Sequence, residues 1–408
     1  MDVSLVFQLE KTKMNSNQTY DFIIAGAGAA GLSLLWHFLH SSLKYQKLLL
    51  IDNSFDIIND KTWCFWSSNH PFSSMAYHSW SELEVISDGN VYSEQLSSYQ
   101  YHCIRNGDYR NKILELSRQF KNVDLLESNV FGFESRADMA VVQTEEGEFH
   151  GRWIFQSVMN SPQVEQSVSD ISLIQHFVGW EIEVQDKKNY FSPSKATLMD
   201  FDTPQQKGLT FFYVLPFTHW RALVEYTIFS ESTMKQEQYE KVIGTYIKER
   251  FHLSDSCYRI VRKEKGAIPM DDREVPGYFN NRTLNIGTVG GTTKPTTGYT
   301  FTRAHHHSRE IVDALTAGKA PKPFSGSKNR FKVYDMMLLY LLRNEQKNSR
   351  KIFHDLFDKN SIDRILQFLA EETHFFQEIA IFSKLPYPPF FRSIYQMKHR
   401  ILSLRNSI

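Results

Sequence analysis

The sequence predicts an α/β fold of the Rossmann type with a β-rich insertion and a helical C-terminal region. Three observations carry this prediction. Near the start an apolar run meets a glycine-rich turn, a helical pattern and a second apolar run that ends on an acid. Far downstream, another short apolar run enters a second glycine–proline–glycine turn. Between the two lie segments of strand-like alternation, and after them the pattern is helical.

The opening unit justifies itself residue by residue. Tyr20-Asp21-Phe22-Ile23-Ile24-Ala25 reads as a buried parallel strand. Gly26-Ala27-Gly28-Ala29-Ala30-Gly31 follows, then the helical run from Leu32 to Leu39 and the strand Lys47 to Ile51, closed by Asp52. In this context Gly26 makes the tight turn, Gly28 admits a pyrophosphate to the backbone, and Gly31 lets helix and strand pack closely. The free N–H groups of the helix start face the phosphates. Asp52 stands where a carboxylate accepts from a ribose 2′-hydroxyl, which favours FAD or NAD over NADP.

The second turn separates those two. Leu284-Asn285-Ile286-Gly287 runs into Thr288-Val289-Gly290-Gly291, with Pro295 and Gly298 ahead of a helical stretch. Flavoproteins of the glutathione-reductase type show a glycine at such a strand end, then a proline eight positions on and a further glycine. Gly287, Gly290, Pro295 and Gly298 fit that spacing, although Thr288 replaces the usual aspartate. The cofactor read from the two turns is therefore FAD.

The rest of the chain divides around these turns. Residues 1–19 read as a disordered extension without the features of a secretory signal. Residues 20–165 form the first part of the cofactor domain, with an inserted segment near 60–100. Residues 166–264 form a β-rich substrate domain, 265–320 the second part of the cofactor domain, and 321–408 a helical region. There the helix expected over Ile362 to Ile381 carries Glu371 and Glu372 on a solvated face.

Composition limits what such a fold does. Basic and acidic residues balance at 46 each, which argues against nucleic-acid binding. Three cysteines are too few for a disulfide framework and point to a reducing compartment. His305, His306 and His307 point in different directions on a helix and do not chelate one ion, so no metal site is read. Aromatic residues make up 14% of the chain, a large share for a charge-neutral protein.

Several blocks, in order along residues 20–390, resemble the lycopene cyclase family. They include Asp60-Lys61-Thr62-Trp63-Cys64-Phe65-Trp66, Gln175-His176-Phe177-Val178-Gly179-Trp180, Leu198-Met199-Asp200-Phe201 and Phe211 to Pro216. Leu223-Val224-Glu225-Tyr226-Thr227, Gly266-Ala267-Ile268-Pro269-Met270, the turn from Gly287 to Arg303 and the run Arg364 to Thr373 continue the series. Two departures stand out. Phe155-Gln156-Ser157-Val158 replaces F-D-S-R, and Tyr226 replaces the second acid of the segment called FLEET in plant members.

The resemblance implies acid-initiated cyclisation of the ends of lycopene to β-ionone rings, giving γ- and β-carotene without net redox. It implies reduced FAD, with NADPH or NADH as reductant. Glu225 is the implied proton donor; read by itself it is a surface glutamate on a half-buried strand. Trp63, Phe65, Trp66, His176, Trp180 and Asp200 are candidates for the substrate pocket, and each has an ordinary core or turn reading beside it. The tail after Glu378 mixes Lys384, Arg392, Lys398, Arg400 and Arg405 with aromatics, as a peripheral helix on the inner face of a cell membrane would; a docked C-terminal helix reads equally well. Two rivals share the scaffold: a flavin monooxygenase or polyprenyl or carotenoid reductase, and a non-catalytic carotenoid or flavin binder.

Overall fold

The computed structural model describes residues 18–161, 171–205 and 208–405. Most of the segment read as an N-terminal extension lies outside them, and Thr19 already belongs to the first strand. Two large sheets and one small one make up the β structure.

The first sheet has eight strands. Its centre is parallel: Thr19–Ala25 lies between Leu48–Asp52 and Gly147–Gln156, with Val123–Glu127 and Thr283–Asn285 outside them. Phe22–Ala25 and Leu48–Ile51 at its centre are buried on both faces, so those stretches are apolar throughout rather than alternating. Helices Ala29–Leu39 and Phe301–Thr316 pack together on one face, through Leu34, Leu35, Phe38, Ile311 and Val312. This is the Rossmann-like half. Where the family pattern has F-D-S-R, Gln156 bridges the two ends of this half. Its amide N–H donates to Asn285 Oδ1 and Met159 O, and its Oε1 accepts from the N–H of Val158 and Met159.

The second sheet has seven strands. Ser172–Val184 is flanked by Arg221–Ser230 and Tyr258–Asp271, all antiparallel. Leu209–Thr218, Lys195–Asp200, Glu82–Ser87 and Asn90–Gln95 extend it. Strand Tyr258–Asp271 pairs with Ser172–Val184 from end to end, so the chain leaves this sheet after Asp271 and not at 264/265. One face of the sheet packs on helix Gln236–Phe251 through Phe212, Val224, Tyr226 and Tyr246. The other packs on the C-terminal helices through Phe211 and Phe229 against Leu339 and Phe353, and at Leu223 and Glu225 it borders a cavity shared with Ala29 and Thr288 of the Rossmann-like half. A three-stranded sheet, built from Thr62–Ser67, His78–Trp80 and Gln100–Arg105, bridges the two.

The C-terminal region is a set of helices over Asn329–Asn344, Gln346–Lys359, Ile362–Leu369, Phe375–Phe382, Tyr387–Gln396 and Lys398–Arg405. It corrects one expectation. The helix foreseen over Ile362 to Ile381 is broken at Ala370–His374, where Glu371 takes a left-handed φ of 63°. Its carboxylate turns inward to Lys294 and Arg303, each at 2.9 Å, and to the Ser327 hydroxyl at 2.6 Å. Two adjacent acids at a helix C-terminus oppose the helix dipole, and buried cations draw the first away. Burial pushes the Glu371 carboxyl up, but Lys294, Ser327 and Arg303 outweigh it and hold it below the ordinary glutamate range. Glu372 accepts from Tyr99 Oη at 2.5 Å.

A cofactor groove and a two-carboxyl cavity

The first glycine turn is shaped for a ligand with phosphates. Gly26 has φ 105°, a region that L side chains avoid. A Cβ on Gly31 would stand 1.8 Å from the Gly26 carbonyl oxygen, so only glycine lets the helix approach. Gly28 caps the helix, no side chain hydrogen-bonds the free N–H groups, and a Cβ there would meet nothing within 4 Å. An uncapped helix start opening on free space is an anion cradle. Asp52 accepts from the N–H of Ala27 and from that of Ser54, which places its carboxylate beside the loop. The sequence reading missed Arg110, whose guanidinium spans Ser54 O at 2.8 Å and Ala27 O at 3.2 Å over the same groove.

The second turn lies against the start of the first helix, where a Cβ on Gly287 would stand 3.0 Å from Ala30 Cβ. Gly287 has φ 64° and Gly298 φ 69°. Lys294 O accepts from the Gly298 N–H at 2.9 Å, drawing residues 294–298, with Pro295 among them, into a tight turn. A Cβ on Gly290 would lie 2.4 Å from Asn285 O, and one on Gly298 would lie 2.7 Å from Gln175 Oε1. That oxygen is buried without a hydrogen-bond partner. The two turns thus border one groove, and its residues fit a dinucleotide whose ring end would lie toward Thr297–Phe301.

There the groove meets a cavity of about 880 Å³ between the two sheets. Trp63, His176, Leu223, Glu225, Glu264 and Tyr299 line it. Strand Arg221–Ser230 alternates, so Leu223 and Glu225 face the cavity while Tyr226 packs on Phe212 on the other side. The position of the second FLEET acid therefore points away from the site.

Glu264 is the acid the sequence reading missed. The central strand places Gly179 opposite both Glu225 and Glu264. A Cβ on Gly179 would lie 3.3 Å from Glu225 Cβ and 3.1 Å from Glu264 Cγ. Its missing side chain leaves the gap in which the two carboxyls meet. No local pattern marks Glu264, because the pairing becomes visible only once three strands are in register.

The electrostatics of the pair are unequal. Glu264 Oε2 accepts from Thr62 Oγ1 at 2.7 Å and pairs with Arg262. Arg262 also binds Glu181, which Arg105 and Arg221 clasp as well, at 2.6 to 2.7 Å. Burial pushes the Glu181 carboxyl up, but the three arginines outweigh it and hold it ionised. Glu225 accepts only from Thr227 Oγ1 among these neighbours, at 3.2 Å. Burial, and then the charge and hydrogen bond of Glu264, push Glu225 well above the ordinary glutamate range. Glu225 thus holds its proton to higher pH than an ordinary glutamate.

The other pocket candidates separate. Trp63 and His176 line the cavity, but both His176 ring nitrogens are engaged, by Tyr239 Oη and Ser230 Oγ. Phe65, Trp66, Trp180 and Asp200 do not line it, which corrects the sequence expectation. Phe65 is in the core beneath helix Ala29–Leu39. Trp66 donates to Leu366 O at 3.1 Å, and Trp180 sits further along its strand than His176, packed with helix Gln236–Phe251. Asp200 accepts from Tyr246 Oη at 2.7 Å, also behind the sheet. Trp63 and Phe65 share one strand face, as do His176 and Trp180 on another strand, so it is position along the strand that decides which of each pair reaches the cavity. Cys64, Tyr101, Tyr213 and Tyr299 take their places in the lining.

His305 packs with His37 and His70 in a buried aromatic cluster. Burial lowers these imidazoles to about 2, 4 and 3 respectively, so they are neutral. Among the described residues no group of three or more His, Cys, Asp or Glu could hold a metal ion.

A two-turn groove opening on a cavity between a Rossmann-like sheet and a second antiparallel sheet defines a flavoenzyme-type fold. Solved structures with this fold include a geranylgeranyl bacteriochlorophyll reductase-like protein from Thermoplasma acidophilum. It has TM-score 0.58 and 11% identity, over 94% of this chain and 99% of that one. A flavoprotein/dehydrogenase from Cytophaga hutchinsonii has TM-score 0.57 and 14% identity, over 86% and 93%. At these identities the likeness shows the fold alone. The family is shown by sequence: the family model described as lycopene cyclase protein matches residues 21–395, and the chain belongs to that family. A lycopene beta-cyclase from Pantoea ananas is 24% identical over 307 residues, which is 73% of this chain and 74% of that protein.

Proposed function

We infer that the protein is a lycopene β-cyclase that closes the ends of a linear C40 polyene by acid catalysis, with reduced FAD in the groove. The observation that carries this reading is a carboxyl group held protonated in an apolar cavity at the ring end of the cofactor groove. Glu225 donates its proton to C2 of the terminal alkene, leaving a tertiary cation at C1. The C5=C6 double bond attacks C1, the C1–C6 bond forms, and the charge moves to C5. Glu225, now a carboxylate, takes the proton from C6, which gives the β ring and restores the acid. Atoms and electrons balance without an oxidant or reductant.

Glu264 keeps the proton on Glu225 between turnovers, because two ionised carboxylates do not share so small a space. The requirement for a second acid is met across the sheet and not along the strand, which accounts for Tyr226 in place of the plant segment's second acid. Tyr213, Tyr299 and Trp63 offer aromatic faces to a passing cation. Reduced flavin, when bound, supplies an electron-rich ring whose charge stabilises that cation. NADPH or NADH is the proposed reductant.

The substrate lives in bilayers, and the C-terminal helices suit one. Phe375, Phe376, Ile379, Tyr387, Phe391 and Tyr395 are all exposed there. Lys384 and Lys398 lie among them, whereas Arg392 and Arg400 are engaged by Glu345 and Asp272. No helix among the described residues is long and apolar enough to cross a membrane. The proposed association is peripheral, on the inner face of the cell membrane.

The test is Glu225→Gln in anaerobic liposomes with lycopene and reduced FAD. Loss of ring closure with FAD retained supports the reading, whereas cyclisation at the parent rate refutes it. Product mass separates the redox rival: cyclisation leaves it unchanged, hydroxylation adds oxygen, and reduction adds hydrogen.

A further inference from the structure

A cyclase of a long linear substrate must house the part that does not react. The main cavity has one open side and one side backed by a second, narrow space. The open side is its mouth, where Lys61, Thr233, Gln236 and Lys265 are polar. The narrow space is a slot that runs from Tyr213, Thr297 and Tyr299, which also line the main cavity, into the C-terminal helices. Leu338, Phe353, Leu356, Ile365, Phe368 and Leu369 form its walls. Its charged wall residues, Lys294 and Asp335, are neutralised against each other at 3.0 Å.

We propose that this slot is the binding channel for the unreacted half of the linear hydrocarbon, and that the substrate threads through it from the bilayer. The proposal rests on the cyclase reading above and extends it to a second subsite. Three observations carry it. The slot shares its inner wall with the cavity that holds Glu225. Its walls are almost wholly hydrocarbon, so burying apolar surface there is favoured over leaving it at a polar mouth. Its outer end, at Phe382, Leu385 and Phe390, lies on the two helices that also expose Phe376, Ile379, Tyr387 and Phe391. One pair of helices thus presents one face to the slot and another to the outside.

The slot measures about 90 Å³, less than a C20 chain displaces, so its side chains swing aside as the chain enters. The elements that close it are suited to yielding. Ile362–Leu369 and Phe375–Phe382 have eight residues each and are joined by the irregular turn at Glu371. Short helices of this kind open locally at little free-energy cost.

The test compares two substrates that share one end group: the full C40 polyene, and a C20 acyclic polyene that ends near Tyr299. Leu369→Trp fills the slot from its half-buried edge, and Phe390→Trp fills its outer end, so the result does not depend on one variant folding. Melting temperature and FAD absorbance report on the fold. We expect the C40 substrate to lose at least tenfold in kcat/KM, mainly through KM, and the C20 substrate to change less than twofold. Equal losses on both substrates, or an unchanged C40 rate in folded variants, overturn the channel and leave the cyclase reading standing. A parent protein that cyclises neither substrate overturns the cyclase reading, and the channel with it.

Discussion

Glu264→Gln isolates the charge that holds the proton on Glu225. The substitution keeps the shape and removes one negative charge from beside the acid. Two unit charges about 4 Å apart interact by about 4 kcal/mol at an effective dielectric of about 20, or roughly a thousandfold in the proton affinity of Glu225. The change is reinforced by Arg262, which loses one of its two carboxylate partners and faces Glu225 with less of its charge balanced. A general acid works only while protonated, so activity falls as pH rises through its pKa. In the parent that loss comes well above the ordinary glutamate range. In Glu264→Gln the alkaline limb moves down by up to about three pH units, so that activity retained near pH 5 is largely gone at pH 8. The assay is the pH profile of ring formation with reduced flavin in vesicles, and Glu264→Asp should restore part of the parent profile. An alkaline limb that stays in place refutes the account of the pair.

Further outcomes follow from the same structure. Gly179→Ala puts a methyl group in the gap between the two carboxyls, so we expect ring formation to fall by more than tenfold and unfolding to come about 1–3 kcal/mol sooner in denaturant titration. Gly31→Ala drives a methyl group into the Gly26 carbonyl, so the purified protein should lack FAD absorbance. Glu181→Gln leaves three arginines without their shared carboxylate and should cost about 3–5 kcal/mol in chemical denaturation. The raised pKa of Glu225 means that the folded state binds the extra proton between the unfolded and folded pKa values. Stability therefore falls as pH rises through that window, and the melting temperature of Glu225→Gln should decline less between pH 5 and pH 8 than that of the parent.

Much of the fold was legible because its signals are local. Strand Thr19–Ala25, the turn Gly26–Gly31 and Asp52 fall within one short stretch, and Gly26 and Gly31 have the conformational and steric reasons that sequence spacing already implies. The turn at Gly287–Gly298 is read in the same way. What sequence reading could not see is assembled across strands. Glu225 and Glu264 are far apart in the chain and meet only because Gly179 stands opposite both. Whole motifs mislead because the cavity touches only part of each strand: Trp63 reaches it while Phe65, on the same strand face, is core, and His176 reaches it while Trp180, also on the same face, does not. Glu371 shows a further limit. A helical pattern over Ile362–Ile381 was sound locally, but the buried cations Lys294 and Arg303 draw the chain out of it.

The central claim is that a proton from the protein starts ring closure and that no redox equivalent is spent. It is tested most directly by first exchanging the enzyme with reduced FAD into D₂O, then running a single anaerobic turnover there, and measuring product mass and the position of the label. The account predicts one deuterium at C2 for each ring formed, matched by one protium lost from C6, with no oxygen added and no net hydrogen gained. A ring without deuterium at C2, or a product carrying added oxygen or two added hydrogens, contradicts it.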